Sequence, residues 1–169
     1  MSKSESFEKV LREANDTILE LGRKIVEDFK SLNSILFELQ ENFDDERSRL
    51  REMSLETDSK IKKIVDRIGF NVKKLGNCIL EETRVTPIDK GEMDNVMIGI
   101  MLQYATTSAC IKLDALIEET YAKELNEIHS SLNQLSTALN DYNLLAVEKN
   151  WPKLLTENEA LIEAKKLMP

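Results

Sequence analysis

Residues 7–43 read FEKVLREANDTILELGRKIVEDFKSLNSILFELQENF. Within them Phe7, Leu11, Ala14, Ile18, Leu21, Ile25, Phe29, Leu32, Leu36, Leu39 and Phe43 recur at steps of three and four. That spacing places every member on one face of an α-helix. After a polar step at Glu46 the stripe resumes at Leu50, Met53, Thr57, Ile61, Ile64, Ile68, Val72, Leu75 and Ile79. No proline precedes Pro87. A stripe this long, without internal caps, predicts an all-α coiled coil or long-helix bundle.

Whether this helix breaks at Gln40–Glu46 decides its length. The patch is polar and acidic, and Asn42 with Asp45 could start a new helix. It contains no Gly or Pro, however, and Glu38 and Glu41 carry the wrong sign for a helix C-terminus. The stripe also keeps its phase. The reading is therefore one continuous helix A, about 5–84, on the order of 120 Å long at about 1.5 Å per residue. A break near 42–46 would give a compact helical bundle instead.

The clear breaker is Thr86-Pro87-Ile88-Asp89-Lys90-Gly91, which predicts a loop over 86–92. Helix B follows, about 93–148, capped by Asp94 and striped by Leu113, Ile117, Tyr121, Leu125, Ile128, Leu132, Leu135, Leu139, Tyr142 and Ala146. Asn150-Trp151-Pro152 stops it. Pro152 suits the first turn of a short helix C, about 152–167, which must dock to be stable and has Trp151 as its anchor. The expected fold is thus a long antiparallel hairpin with a short C-terminal helix, one domain over 1–169.

Composition limits the function classes. The chain has 169 residues, 41% hydrophobic and 32% charged, with net charge −8. It is long enough for a real core, and its field repels nucleic acid and anionic membrane. The start, Met-Ser-Lys-Ser-Glu-Ser, has no apolar segment of the secretory kind. Cys78 and Cys110 lie in helical patterns and not in a disulfide framework, so a reducing, cytoplasmic setting is expected. Export by a specialised secretion system stays compatible with this.

Residues 95–111 carry no charge. Such a helix is buried on all sides or lies in lipid. Seventeen residues with Gln103, Thr106, Thr107 and Ser108 make a poor membrane span, so burial is expected. In a hairpin centred near Asp89 and Lys90, Gly69 would face Cys110 and Gly76 would face Gln103. One facing arm cannot cover an apolar helix all round, which points to a second copy. The candidate self-association face is Gly76, Val96, Met97, Ile100, Met101 and Tyr104. The same register separates the two cysteines by about 13 Å, so two buried thiols are expected rather than a bridge.

Constellations for catalysis, metals and cofactors are missing from the sequence. His129 is the lone histidine, and Glu127-Ile-His129 has the wrong spacing for a di-iron site. Lys60, Lys63, Arg67 and Lys74 share a basic face, which suits an acidic partner or a nucleic-acid backbone, or ion pairing with helix B, where the hairpin places Lys60 and Lys63 near Glu118 and Glu119. Three functions are consistent. The first is a non-enzymatic scaffold or adaptor that binds other proteins and self-associates as a homodimer. The second is a helical bundle sensing a small molecule near 97–107, which requires a cavity at Met97, Met101, Tyr104 and Thr107. The third is nucleic-acid or acidic-partner binding through 60–74.

Overall fold

The computed structural model describes residues 3–41, 54–81 and 87–168. These residues form six α-helices and no strand: α1 Lys3–Glu41, α2 Leu55–Glu81, α3 Lys90–Leu113, α4 Ala115–Thr120, α5 Ala122–Lys149 and α6 Glu157–Leu167. The all-α expectation holds. The 42–46 patch, Phe43, Leu50 and Met53 lie outside the described residues, as do the side chains of Phe7 and Leu11.

Directions follow from residue pairs. α1 and α3 run parallel: Asn15 meets Asp89, Asn33 meets Gln103, and Gln40 meets the carbonyl of Cys110. α2 and α5 run parallel: Asp58 meets Tyr121, and Gly76 lies against Leu135 and Ala138. α3 and α5 run antiparallel, since Ile88 meets Tyr142 while Tyr104 meets His129. α1 and α2 are therefore antiparallel neighbours, joined by the Asp28–Arg67 ion pair at 3.2 Å. Taken in chain order α1, α2, α3 and α5 run up, down, up and down; side by side they stand in the order α3, α1, α2, α5, two parallel neighbours against two.

This corrects the continuous helix A. A single straight helix cannot bring Arg67 back to Asp28, so α1 and α2 are separate antiparallel helices, as in the compact alternative. It also corrects the hairpin register. The main partner of α3 is α1, and α2 packs on α1 and α5. The physical cause is the width of the apolar faces. Ile18, Ile25, Phe29 and Leu36 of α1 are fully buried, as are Ile61, Ile68, Val72 and Leu75 of α2. Faces that wide need two neighbours each, which a two-helix hairpin cannot supply.

Helix B is divided. Asp114 leaves helical geometry at φ −132°, ψ 96°, and its side chain accepts from the Ile117 amide at 3.3 Å. A short polar side chain that offers its own acceptor competes with the helix ladder. Leu113 consequently points out, 76% exposed, although it belonged to the expected stripe. α3 also begins earlier than expected. Asp89 is its N-cap, accepting from Glu92 N, and Gly91 sits in the first turn. Asp94 is not a cap. Its carboxylate accepts from Leu155 N at 2.8 Å and from Lys90 Nζ at 2.7 Å, tying 153–155 to α3.

The C-terminal segment differs in the same way. α5 ends at Asn150 in the left-handed region, φ 59°, which Asn tolerates. Pro152 is not in the first turn of the C-terminal helix as expected: residues 151–156 are outside helices, and α6 starts from a Thr156–Glu159 capping box. Trp151 stacks on Tyr142 of α5 with centroids 6.3 Å apart and Lys149 above it, while α6 itself docks on α3. The buried side chains of α6 are Ala160 and Ala164, while Ile162 is exposed. Small residues let α6 settle close on α3.

Candidate functional site

The α1–α3 seam is built from two reciprocal pairs. A Cβ on Gly22 would lie 2.1 Å from Val96 Cγ1, and one on Gly99 would lie 3.3 Å from Val26 Cγ2. Each glycine admits the other helix's valine, so the two backbones approach closely. Lower in the seam, Asn33 Nδ2 donates to Gln103 Oε1 at 2.9 Å, and Thr107 Oγ1 donates to Asn33 Oδ1 at 2.6 Å. Asn33 and Thr107 are buried, and each polar group is satisfied by another, which fixes the register of α1 against α3.

Outside this seam lies a groove of about 870 Å³. Leu102, Ala109 and Cys110 of α3 and Phe37 of α1 line it, and Leu167 of α6 closes one side. Phe37 is 43% exposed and Leu167 65%; Leu113, also lining the groove, completes the apolar rim. Isolated exposed leucines are ordinary, whereas several converging on one groove mark an interaction surface. On α1, Lys30, Ser34 and Glu38 are exposed along this groove at i, i+4 and i+8. The Cys110 thiol is pushed up by burial, so the groove presents no reactive sulfur.

The expected self-association face is located elsewhere. Met97, Ile100 and Met101 are fully buried in the chain's own core, and Gly76 is buried against α5. Val96 fills the space at Gly22, and Tyr104 is half-buried with its ring edge-on to Phe29. These residues therefore present no common face to a second copy. The bundle buries one face of this apolar helix, with Met97, Ile100, Met101 and Thr107 inside, and leaves Ala109 and Leu113 exposed. α3 is long and apolar enough to cross a membrane by length and composition, and here it packs on α1 and α6.

Of the basic face, Arg67 pairs with Asp28 of α1, while Lys60, Lys63 and Lys74 are exposed on α2. No ion pair joins Lys60 or Lys63 to Glu118 or Glu119 among the described residues, although α2 packs on both α1 and α5 and Asp58 meets Tyr121. Cys78 and Cys110 are reduced and buried, as expected. Among the described residues no three His, Cys, Asp or Glu side chains come together as a metal site. The groove residues were missed: Phe37 and Leu167 lie off the stripes read from the sequence, and Leu113 lies on one that only the fold shows to be uncovered there. No protein-family model, curated protein or solved structure matches this chain.

Proposed function

We propose that this chain is a non-enzymatic interaction module that docks another polypeptide in the α1–α3 groove, a second copy of itself in the first instance. The observation that carries this reading is the convergence of Phe37, Leu113 and Leu167 on one apolar groove. The charge pattern suits self-pairing. Lys30 and Glu38 stand four residues to either side of Ser34 on one helix face. Two copies related by a two-fold axis beside Ser34 would set Lys30 of each against Glu38 of the other, which is the self-complementarity an isologous dimer needs. The small Ser34 lets the helices come close. The buried thiols suit a reducing, cytoplasmic setting.

Light scattering over a concentration series tests it. The wild-type chain is expected to dimerise, and Phe37→Glu and Lys30→Glu to be monomeric with unchanged helicity. The charge swap Lys30→Glu with Glu38→Lys should restore the dimer. A wild-type monomer at every concentration, or a dimer indifferent to Phe37→Glu, would overturn the reading.

A further inference from the structure

α3 and α5 stand further apart than the other neighbouring helices and are bridged by side chains. Between them, away from the groove, opens a cleft of about 220 Å³. Its apolar lining is Phe29 with Ile111, Leu125 and Ile128. Tyr104 stands in the wall, its ring edge-on to Phe29 with centroids 6.4 Å apart and its hydroxyl 3.2 Å from His129 Nδ1. The cavity required by a small-molecule reading is thus present at Tyr104 and Thr107, while Met97 and Met101 lie in solid core.

We propose that this cleft binds a neutral, planar, bicyclic aromatic molecule carrying one ring N–H donor. Size sets the two rings: an apolar cavity of about 150 Å³ holds benzene, and this one is half as large again. Charge sets neutrality. Lys112 and Glu118 both line the cleft, with opposite signs, so neither an anion nor a cation gains a net partner. Shape sets planarity, because the half-buried Tyr104 ring, held edge-on to Phe29, stands in the wall as an aromatic surface on which a flat ring can stack offset. The donor follows from the hydroxyl count. Tyr104 Oη has one hydrogen and can accept two bonds, and the contact to His129 uses one of these three capacities. An acceptor site therefore remains on Tyr104, next to the apolar part of the wall, with the polar Ser108 and Asn126 in the same lining.

Titration of the intact, isotope-labelled chain with indole, followed by amide NMR, tests this. Saturable shifts are expected around Tyr104, Ser108, Ile111, Leu125 and His129. Ala122→Phe, a change at an exposed position on the cleft wall, should abolish them while leaving the rest of the spectrum intact. Tyr104→Phe should weaken indole about threefold to tenfold, the worth of one hydrogen bond, and leave naphthalene unchanged. Non-saturating shifts, shifts around Phe37 and Leu113 instead, or equal losses for indole and naphthalene in Tyr104→Phe would overturn the assignment. None of these outcomes bears on self-association, so the two proposals fail separately.

Discussion

Gly22→Ala tests the close approach of α1 and α3. The added Cβ would sit 2.1 Å from Val96 Cγ1, 3.3 Å from its Cβ and 3.4 Å from its Cγ2. Carbon atoms rest at about 3.5–4.0 Å, so roughly 1.5 Å must be found. Valine in a helix strongly prefers one χ1 rotamer, so turning Val96 aside is resisted. Parting the helices instead would loosen Val26 from Gly99 one turn away. Overpacking of this kind costs about 1–3 kcal/mol. Against it stands the helix-propensity gain of Gly to Ala, about 1 kcal/mol. The single variant should therefore lose about 1 kcal/mol, small enough to be ambiguous alone.

The cycle with Val96→Ala removes the ambiguity. In that background the Cγ atoms are gone, and Gly22→Ala should stabilise by up to about 1 kcal/mol. The coupling energy is then about 2 kcal/mol, read from urea unfolding followed by circular dichroism. Gly91→Ala serves as control. Its Cβ would meet only Asp89 Oδ1 at 3.9 Å, so it should gain a few tenths of a kcal/mol from propensity with no penalty. Additivity of Gly22→Ala and Val96→Ala within about 0.5 kcal/mol would refute the seam as described.

The buried polar seam should show the asymmetry of paired groups: Asn33→Ala alone should cost about 1–3 kcal/mol in urea unfolding, whereas Asn33→Leu with Thr107→Val should come close to neutral. Asp58 sits below its ordinary 3.8 because Tyr121 Oη donates to it at 2.9 Å, with Lys62 adding to the effect against the opposing influence of burial. Its contribution is thus present above pH 3.8 and lost as pH falls through the lowered value. Tyr121→Phe should lower neutral-pH stability by about 1 kcal/mol and flatten the acid limb of the stability–pH curve. On the alkaline side Tyr121 and Tyr142 are both pushed up, chiefly by burial, so stability should fall as pH rises above 10.0, and thermal melts between about pH 8 and 11 would show it. Both thiols should resist alkylation in the native chain and react fully in urea; rapid native labelling of Cys110 would contradict its burial.

Local periodicity was enough to show that this chain is helical and which residues are apolar enough to be buried. The steps from Ile18 to Leu39 and from Ile61 to Ile79 can only line one face each. The burial of both cysteines and the stop at Asn150 were legible for the same reason, since helical spacing and local stereochemistry suffice for each.

Which face meets which was settled by long-range packing. An apolar stripe states how much surface must be covered but not by whom. The separation of α1 from α2 has no Gly or Pro to announce it, and the parallel pairing of α1 with α3 rests on contacts more than 70 residues apart in the chain, Gly22 with Val96 and Asn33 with Thr107. The Asp114 break is a contest between a side-chain acceptor and the helix ladder, settled by burial that no local window contains. The groove and the cleft came last. Both are what remains uncovered after all helices are packed: Leu113 is distinguishable from its buried stripe mates, and Phe37 from an ordinary exposed residue, only once the neighbours of α1 and α3 are in place.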